Sequence, residues 1–236
     1  MHAGTAELYD AIYTRMKDYR GEAEKVRTWI EKLRPGARSV LDVACGTGEH
    51  AKHLCADYQI DGLDLNGDYL AAAHQKNPQG QHEVADMTCF DLQKKYDAVL
   101  CLFSAIGYAL TVEKLNAAIR CMADHLAPQG ALIVEPWLTP EKWKAGRPHL
   151  VSFEEENFKI CRMNTTGVRG ERTSFMQFHY LVGRPEGVTH FTEDHELGLF
   201  TKAEMLDAFR NAGLKPEHDE AGIFGRGLYF ARKTGA

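Results

Sequence analysis

The strongest constraint on this chain is a buried strand that runs directly into a turn of small residues and then into a helix. The strand is Ser39–Val43, the turn is Ala44-Cys45-Gly46-Thr47-Gly48, and helical periodicity begins at Glu49. Small residues in such a turn let a ligand lie against the backbone. The next predicted strand ends at Asp64, where a carboxylate can bind both hydroxyls of an adenosine ribose.

Strands and helices alternate through the first 135 residues, which is typical of βαβ units around a parallel sheet. The predicted strands are 39–43, 60–64, 82–85, 96–103 and 131–135, and the predicted helices are 6–13, 22–33, 49–58, 68–75 and 112–126. Four antiparallel strands follow, and then a helix at 201–212 and strands at 215–219 and 227–232. We expect one domain over residues 1–236, with an antiparallel β insertion at residues 150–198.

Composition narrows the class of protein. The 236 residues are 44% hydrophobic and 26% charged, as in ordinary globular proteins, and the net charge of −5 argues against nucleic acid as a partner. No apolar run approaches the ~20 residues of a membrane helix, and the first residues lack a signal-peptide pattern. Six cysteines without a C-x-x-C pair favour a reduced, cytoplasmic protein.

Histidine pairs in two places have spacings that resemble metal sites. His50 and His53 lie three positions apart on a predicted helix, where no further ligand completes a set and a solvated face is the simpler interpretation. His190 and His195 point to opposite faces of a predicted strand. We therefore predict no metal.

The glycine turn distinguishes two cofactor classes. Nicotinamide-dependent oxidoreductases carry a third glycine three positions after the second, a place held here by Ala51. The segment instead resembles the D/E-x-G-x-G-x-G motif of class I S-adenosylmethionine-dependent methyltransferases, with Ala44 in the first glycine's place. An acidic Asp86-Met87 after the third strand and the apolar fourth strand agree with this second class.

Five further segments narrow the resemblance from the large class to one subfamily. They are Ala6–Asp10, Lys17–Tyr19, Phe103–Gly107, Glu135–Trp137 and Gly225–Leu228. In this order they resemble the nucleotide-linked (dTDP) aminosugar N,N-dimethyltransferases of macrolide deoxysugar pathways, over the whole chain. The resemblance implies a Rossmann-like class I methyltransferase fold. That fold is α/β, with a seven-stranded, mostly parallel sheet and the antiparallel insertion after the fifth strand, over the acceptor site. It also implies S-adenosylmethionine as cofactor, S-adenosylhomocysteine as product, a small-molecule acceptor and a homodimer.

The same resemblance implies roles for individual residues. The cofactor-binding candidates lie in the first two helices and after the parallel strands: Tyr9, Tyr19, Ala44, Gly46, Gly48, Asp64, Leu65, Asp86, Met87 and Leu102. Trp137, His179 and Arg226 would contact the acceptor, with Arg226 facing a diphosphate. Three structural alternatives stay open: helix core for Tyr9, a helix N-cap for Asp86 and a surface position for Arg226.

Two departures from the family pattern concern the acceptor. Tyr108 stands where the family has a histidine, and Met1 stands where it has a tyrosine. Because the pKa of tyrosine is about 10, Tyr108 is a poor base near neutrality and we expect it to orient the acceptor. His179, in the insertion, is the candidate base for a hydroxyl acceptor, although a half-buried strand position is the simpler interpretation.

The predicted reaction is methyl transfer from S-adenosylmethionine to a small-molecule amine, with a nucleotide-activated aminosugar as the candidate acceptor. Three alternatives remain at this point. One is an O- or N-methyltransferase of another metabolite, one is an NAD(P)-dependent oxidoreductase, and one is a cofactor-binding module without catalysis.

Overall fold

The structure, a computed structural model, describes residues 5–234. Two helices open this part of the chain, α1 (Thr5–Met16) and α2 (Tyr19–Leu33). The alternating segment then comprises β1 (Ser39–Val43), α3 (Glu49–Leu54), β2 (Gln59–Asp64), α4 (Gly67–Lys76), β3 (His82–Val84), β4 (Tyr96–Cys101), a 3₁₀ helix (Ala105–Ala109), α5 (Val112–Asp124) and β5 (Leu126–Val134). The remainder comprises β6 (Pro148–Glu154), β7 (Lys159–Arg169), β8 (Thr173–Arg184), β9 (Gly187–Gly198), α6 (Lys202–Asn211), β10 (Glu217–Asp219) and β11 (Leu228–Arg232).

Seven strands form the main sheet, in the order β10-β11-β5-β4-β1-β2-β3. The pairs that β1 makes with β2 and β4 are parallel, as are those of β2 with β3 and β4 with β5, whereas β11 runs antiparallel to both of its neighbours. This topology confirms the predicted fold class. The order reverses at β1, so the carboxyl ends of β1, β2 and β4 open a crevice at the switch point.

Alternating side chains cover both faces of this sheet. Ala98 and Leu100 of β4 share a buried cluster with Val26 and Ile30 of α2. Val99, which points the other way, packs in a second cluster with residues of α5 and α6. This period of two places helices on both faces of the sheet, as in a doubly wound fold.

A second sheet is formed by the insertion, in the order β6-β7-β8-β9. One face of it packs against α1, where Leu8 and Ile12 contact a cluster that includes Ile160, Phe178 and Val182. We call this the inner face, and the opposite one the outer face. The inner face positions α1 beside the carboxyl edge of the main sheet.

Several element boundaries differ from the sequence predictions, and two of the larger differences lie in the main sheet and the helix after the glycine turn. The helix after the glycine turn ends at Leu54 and not at Tyr58. Strand β5 begins at Leu126, earlier than predicted, because Leu126 pairs with Tyr96 before a register shift in the β4–β5 ladder. Thr201 and Glu204 form a capping box at the start of α6. Within residues 5–234, no helix has both the length and the apolar character that crossing a bilayer requires.

Candidate cofactor and acceptor site

The glycine turn holds its backbone in a left-handed conformation at three positions. Ala44, Gly46 and Gly48 have φ values of 57°, 56° and 76°. A Cβ added at Gly48 would lie 2.9 Å from both Cα and Cβ of Ala73 in α4, so no side chain fits there. At Gly46 an added Cβ would meet no atom within 4 Å, which leaves the backbone open toward the crevice.

Asp64 lies beside this turn, as its spacing predicts. Its carboxylate accepts hydrogen bonds from the backbone N–H groups of Gly46 and Asn66, both at 2.9 Å. Burial raises the pKa of Asp64, and these backbone donors oppose the shift. Leu65 follows with 66% of its surface exposed, so an apolar side chain adjoins the carboxylate at the edge of the crevice.

A first cavity lies between the glycine turn and the two N-terminal helices, and we call it the turn cavity. Its lining comprises Tyr9, Tyr19, Asp42, Ala44, Cys45, Gly46, Thr47, Glu49, His50, Leu102 and Phe103. Five predicted cofactor residues therefore come together here: Tyr9, Tyr19, Ala44, Gly46 and Leu102. The buried Asp42 was not predicted, and its burial raises its pKa to about 6.

Polar contacts tie the first helix to the glycine turn. Asp10 accepts a hydrogen bond from Thr47 Oγ1 at 2.5 Å and pairs with Lys76 Nζ at 2.6 Å. Tyr9, one residue earlier, packs against Tyr13 and Tyr69 with tilted rings, at ring-centroid distances of 4.4 and 5.2 Å. Tyr9 thus makes packing contacts and also lines the turn cavity.

Buried charges connect the second helix to the same region. Glu22 of α2 lies 3.0 Å from both His50 Nε2 and Lys17 Nζ, and all three residues are buried. The prediction of a solvated face for His50 is therefore wrong, because the ring turns inward to pair with Glu22. Lys17 also lies over the Phe103 ring, 3.5 Å from its centroid.

Asp86 and Met87 follow β3, away from the lining of the turn cavity. Asp86 Oδ1 accepts hydrogen bonds from the backbone N–H and the hydroxyl of Thr88, both at 2.8 Å. No helix begins here, so Asp86 is not the helix N-cap that was the alternative role for it. Its carboxylate instead caps a turn. Met87 is buried and packs in the core cluster that also includes Phe90.

A second cavity, of about 390 Å³, opens at the carboxyl end of β5, and we call it the tryptophan cavity. Its lining comprises Pro136, Trp137, Leu138, Thr139, Glu141, Lys142, Phe200, Thr201, Lys202, Ala203, His218, Glu220, Arg226 and Tyr229. Two of the predicted acceptor residues, Trp137 and Arg226, therefore share this cavity.

Arg226 is held in place by its neighbours. It donates a hydrogen bond from Nη1 to Ser104 Oγ at 2.7 Å, and its guanidinium carbon lies 4.9 Å from the Trp137 ring centroid. Desolvation lowers the pKa of Arg226, and the nearby Glu135 opposes this shift. The surface alternative for Arg226 is wrong, because the side chain is partly buried between these groups.

Tyr108 and His179, the two predicted catalytic residues, do not meet. His179 lies exposed on the outer face, where its Nδ1 is 3.3 Å from His190 Nε2 and the two rings stack. The alternation along β8 explains this correction, because Phe178 and Tyr180 take the inner positions. Tyr108 Oη instead lies 2.7 Å from His195 Nδ1, on the inner face.

A methyltransferase domain family matches residues 40–130 of this chain. Over 227 residues the chain is 38% identical to the dTDP-3-amino-3,6-dideoxy-alpha-D-glucopyranose N,N-dimethyltransferase of Streptomyces fradiae, an alignment that covers 95% of this chain and 89% of the relative. The chain belongs to the S-adenosylmethionine-dependent methyltransferases. The oxidoreductase alternative is thereby set aside.

Two solved structures are similar to this methyltransferase along nearly its whole length. The crystal structure of DesVI from Streptomyces venezuelae has a TM-score of 0.92 and 36% identity, and covers 99% of this chain and 100% of its own. The amino pentose methyltransferase CalS10 from Micromonospora echinaspora, solved with S-adenosylmethionine bound, has a TM-score of 0.87 and 36% identity. That match covers 96% of this chain and 97% of CalS10. The cofactor of this methyltransferase is S-adenosylmethionine.

The turn cavity fits the amino-acid end of that cofactor. Two buried carboxylate oxygens, Glu22 Oε1 and Glu135 Oε1, complete no hydrogen bond with any group in residues 5–234. Their residues contact the lining, because Glu22 pairs with His50 and Glu135 accepts a hydrogen bond from the Phe103 N–H. Such buried atoms need partners, and the charged amino group of a methionine moiety would supply one. The open backbone at Gly46 leaves room for the chain that joins this moiety to the ribose.

Several residues of the methyltransferase site were not found from the sequence. Asp42 is the acidic residue of the recognised motif and Lys17 lies in a recognised segment, so both carried a local signal. Glu22 and His195 carried none, because their partners His50 and Tyr108 lie 28 and 87 positions away. The family position that falls at Met1 lies outside the described residues. Within those residues, no cluster of three His, Cys, Asp or Glu side chains could hold a metal ion.

Proposed function

We propose that this methyltransferase methylates the amine of a nucleotide-linked aminosugar. The observation that carries the proposal is the position of Arg226, at the junction of the two cavities. Phe103 lines the turn cavity, and the next residue, Ser104, binds the Arg226 guanidinium, which lines the tryptophan cavity. An acceptor in the tryptophan cavity would therefore have an anion-binding group within reach while its sugar approaches the cofactor.

The charges of the tryptophan cavity suit a diphosphate. Lys142, Lys202 and Arg226 line it together with Glu141 and Glu220, and Glu220 pairs with Lys202 at 2.6 Å. The cations outnumber the carboxylates, and the fork of Arg226 matches phosphate oxygens in geometry as well as in charge. Trp137 adds an aromatic wall that is fixed by a 2.9 Å hydrogen bond from its Nε1 to Ser174 Oγ. The relative from Streptomyces fradiae, which acts on a dTDP-linked aminosugar, supports the same class of acceptor.

Each cofactor residue has a proposed role. Asp64 accepts hydrogen bonds from the ribose hydroxyls, and Leu65, Asp86 and Met87 border the adenine. Tyr9 and Tyr19 enclose the methionine end in the turn cavity, with Leu102 near the sulfur and the glycine turn, Ala44 to Gly48, against the backbone. When bound, S-adenosylmethionine supplies an electrophilic methyl group on its sulfonium. The chain's own contribution is to hold the acceptor nitrogen in line with that methyl group and to exclude water.

An acceptor panel with a labelled methyl group tests the proposal. We expect transfer to a dTDP-linked aminosugar and little transfer to the free aminosugar or to hydroxyl analogues. Arg226→Gln should raise KM for the nucleotide-linked acceptor about 10- to 150-fold, as expected for the loss of ~1.5–3 kcal/mol from a hydrogen bond to a charged group. Arg232→Gln, at the far, exposed end of β11, is the matched control. Equal turnover of free and nucleotide-linked amines would refute the diphosphate contact.

We also propose that the enzyme is a homodimer that pairs through the outer face of the insertion. Apolar side chains are exposed on that face, among them Leu150, Met163 and Leu181 at 58%, 49% and 48%. Light scattering should give twice the chain mass for the wild type and the chain mass for Leu181→Lys. A monomeric wild type would refute this proposal.

A cytoplasmic location is the remaining proposal, and the cysteines support it. All six are free thiols in the structure. The test is to lyse the native cells in acid, which stops thiol exchange, and then to titrate the free thiols of the purified protein. Six free thiols are expected, whereas disulfide-bonded pairs would contradict a reducing compartment.

A further inference from the structure

Tyr108 is brought to the insertion by a close contact of the 3₁₀ helix with β9. A Cβ added at the preceding Gly107 would lie 2.9 Å from Leu197 Cδ2 and 3.0 Å from Leu197 Cβ. Because glycine alone permits this approach, the Tyr108 hydroxyl reaches His195, two positions before Leu197 on the same strand. The contact between Tyr108 and His195 is therefore a feature of the local backbone packing.

The inner face of the insertion orients the His195 ring. Phe178 packs against it, with ring centroids 4.7 Å apart. On the other side, His195 Nε2 lies 3.7 Å from Glu193 Oε2, which is within ion-pair range. Tyr108, His195 and Glu193 thus form a row, with the imidazole between a phenol and a carboxylate.

The protonation states in this row follow from its geometry. Desolvation raises the pKa of Tyr108 well above its ordinary value, and Tyr13, Tyr69 and Asp64 add to the shift, so the phenol stays protonated. It therefore donates to His195 Nδ1, and the neutral ring carries its own proton on Nε2, toward Glu193. His195 holds the pKa of Glu193 below its ordinary value, which keeps that carboxylate charged.

We propose that His195 accepts, through Tyr108, the proton that the acceptor's ammonium group must lose before its nitrogen can attack. The inference rests on the proposed function, since only an amine acceptor presents such a proton. His179, the candidate base for a hydroxyl acceptor, has no part in this step, and the histidine that acts belongs to another strand of the same insertion.

Atoms and charges balance in this step. A proton passes from the acceptor nitrogen to Tyr108 Oη while the tyrosine proton passes to His195 Nδ1. Tyrosine ends neutral, and His195 ends as an imidazolium that faces the Glu193 carboxylate. The freed lone pair then forms the N–C bond as the bond from that carbon to the cofactor sulfur breaks. Solvent recovers the proton from His195 after product release.

Titratable groups from six elements surround this row, and any pH dependence reflects all of them. They are Tyr108 from the 3₁₀ helix, Glu193 from β9, Tyr180 from β8, Arg162 from β7, Tyr13 from α1 and Tyr69 from α4. Arg162 is buried over the Phe178 ring and donates to Tyr13 Oη at 3.1 Å.

The first test compares pH–rate profiles on the nucleotide-linked amine with the chemical step rate-limiting. His195→Gln should be about 100-fold slower near pH 7 and should speed up with rising pH as free amine becomes available, while the rate of the wild type should change much less over the same pH range. His190→Gln, five positions earlier on the outer face, is the matched control and should follow the wild type. Slowing of His195→Gln by one constant factor at every pH would overturn the inference, because a merely structural residue behaves in that way.

A second test needs no acceptor. Nitrogen chemical shifts of labelled protein, assigned with the His195→Gln variant, should show His195 protonated at Nε2 in the wild type and a mixture of tautomers in Tyr108→Phe. Protonation at Nδ1 in the wild type would overturn the inference. A wild type that methylates only hydroxyl acceptors would instead refute the proposed function, and the amine proton relay with it. Amine turnover with a His195→Gln profile parallel to the wild type would refute the relay alone.

Discussion

Asp42, in the wall of the turn cavity, destabilises the folded protein when its carboxyl group is ionised. The side chain is buried at 3% exposure in the wall of the turn cavity, and burial raises its pKa to about 6. In the unfolded chain the pKa of an aspartate is about 3.9, so the folded state binds the proton more tightly. Stability from this carboxyl is therefore complete below about pH 4 and is lost as the pH rises through about 6.

The size of the effect follows from the shift. Two pKa units correspond to about 3 kcal/mol at pH 8, of which about 1 kcal/mol is already lost at pH 4.5. Asp42→Asn keeps the shape of the side chain and does not titrate. The free energy of unfolding of the variant, relative to the wild type, should thus grow by about 2 kcal/mol between pH 4.5 and pH 8.

Urea unfolding at the two pH values measures this difference. With a slope of about 2 kcal/mol per molar urea, the midpoint of Asp42→Asn should move by about 1 M relative to the wild type. Asp68→Asn, exposed at the start of α4, is the control and should show no such trend. At pH 8 the stabilised Asp42→Asn should also bind S-adenosylmethionine more weakly by calorimetry, because an anion facing a cationic ligand is gone. A pH-independent difference in stability would refute the reasoning.

Three further changes have defined outcomes. Asp64→Asn should weaken S-adenosylmethionine binding about 10- to 150-fold in calorimetry, from the loss of ~1.5–3 kcal/mol at the ribose, while Asp68→Asn binds normally. Gly48→Ala should lower the free energy of unfolding by about 1–3 kcal/mol in urea, since the positive φ and the clash with α4 both oppose a side chain. Gly107→Ala should separate Tyr108 from His195 and reproduce the alkaline-rising profile of His195→Gln, with cofactor affinity unchanged in calorimetry.

The main sheet was predictable because its signals are local. Strand periodicity, the glycine turn and Asp64 all lie within one βαβ unit, and parallel pairing brings the ends of neighbouring strands together. The recognised segments extended this to Arg226 and Trp137, which do share a cavity. Residues that act near their own strand end are thus accessible to sequence reasoning.

Contacts between distant segments were not predictable in the same way. Arg226 and Ser104 lie 122 positions apart, and Glu22 and His50 lie 28 apart, with no pattern that couples them. The error at His179 has a different origin. Because Phe178 and Tyr180 are apolar neighbours on β8, His179 must point to the opposite face of that strand. Only the packing of α1 shows that the face with Phe178 and Tyr180 is the one toward the site.

Helix α1 couples the insertion, which borders the acceptor, to the glycine turn, which borders the cofactor. One helix packs on the inner face of the insertion through Ile12 and binds the glycine turn through Asp10. A substitution that shifts α1 to admit a different acceptor therefore also disturbs the cofactor. Strand β9 makes no contact with the glycine turn among those described above, although it carries His195 and Glu193. Acceptor range in this enzyme should accordingly evolve, and be engineered, at positions of β9 other than these two.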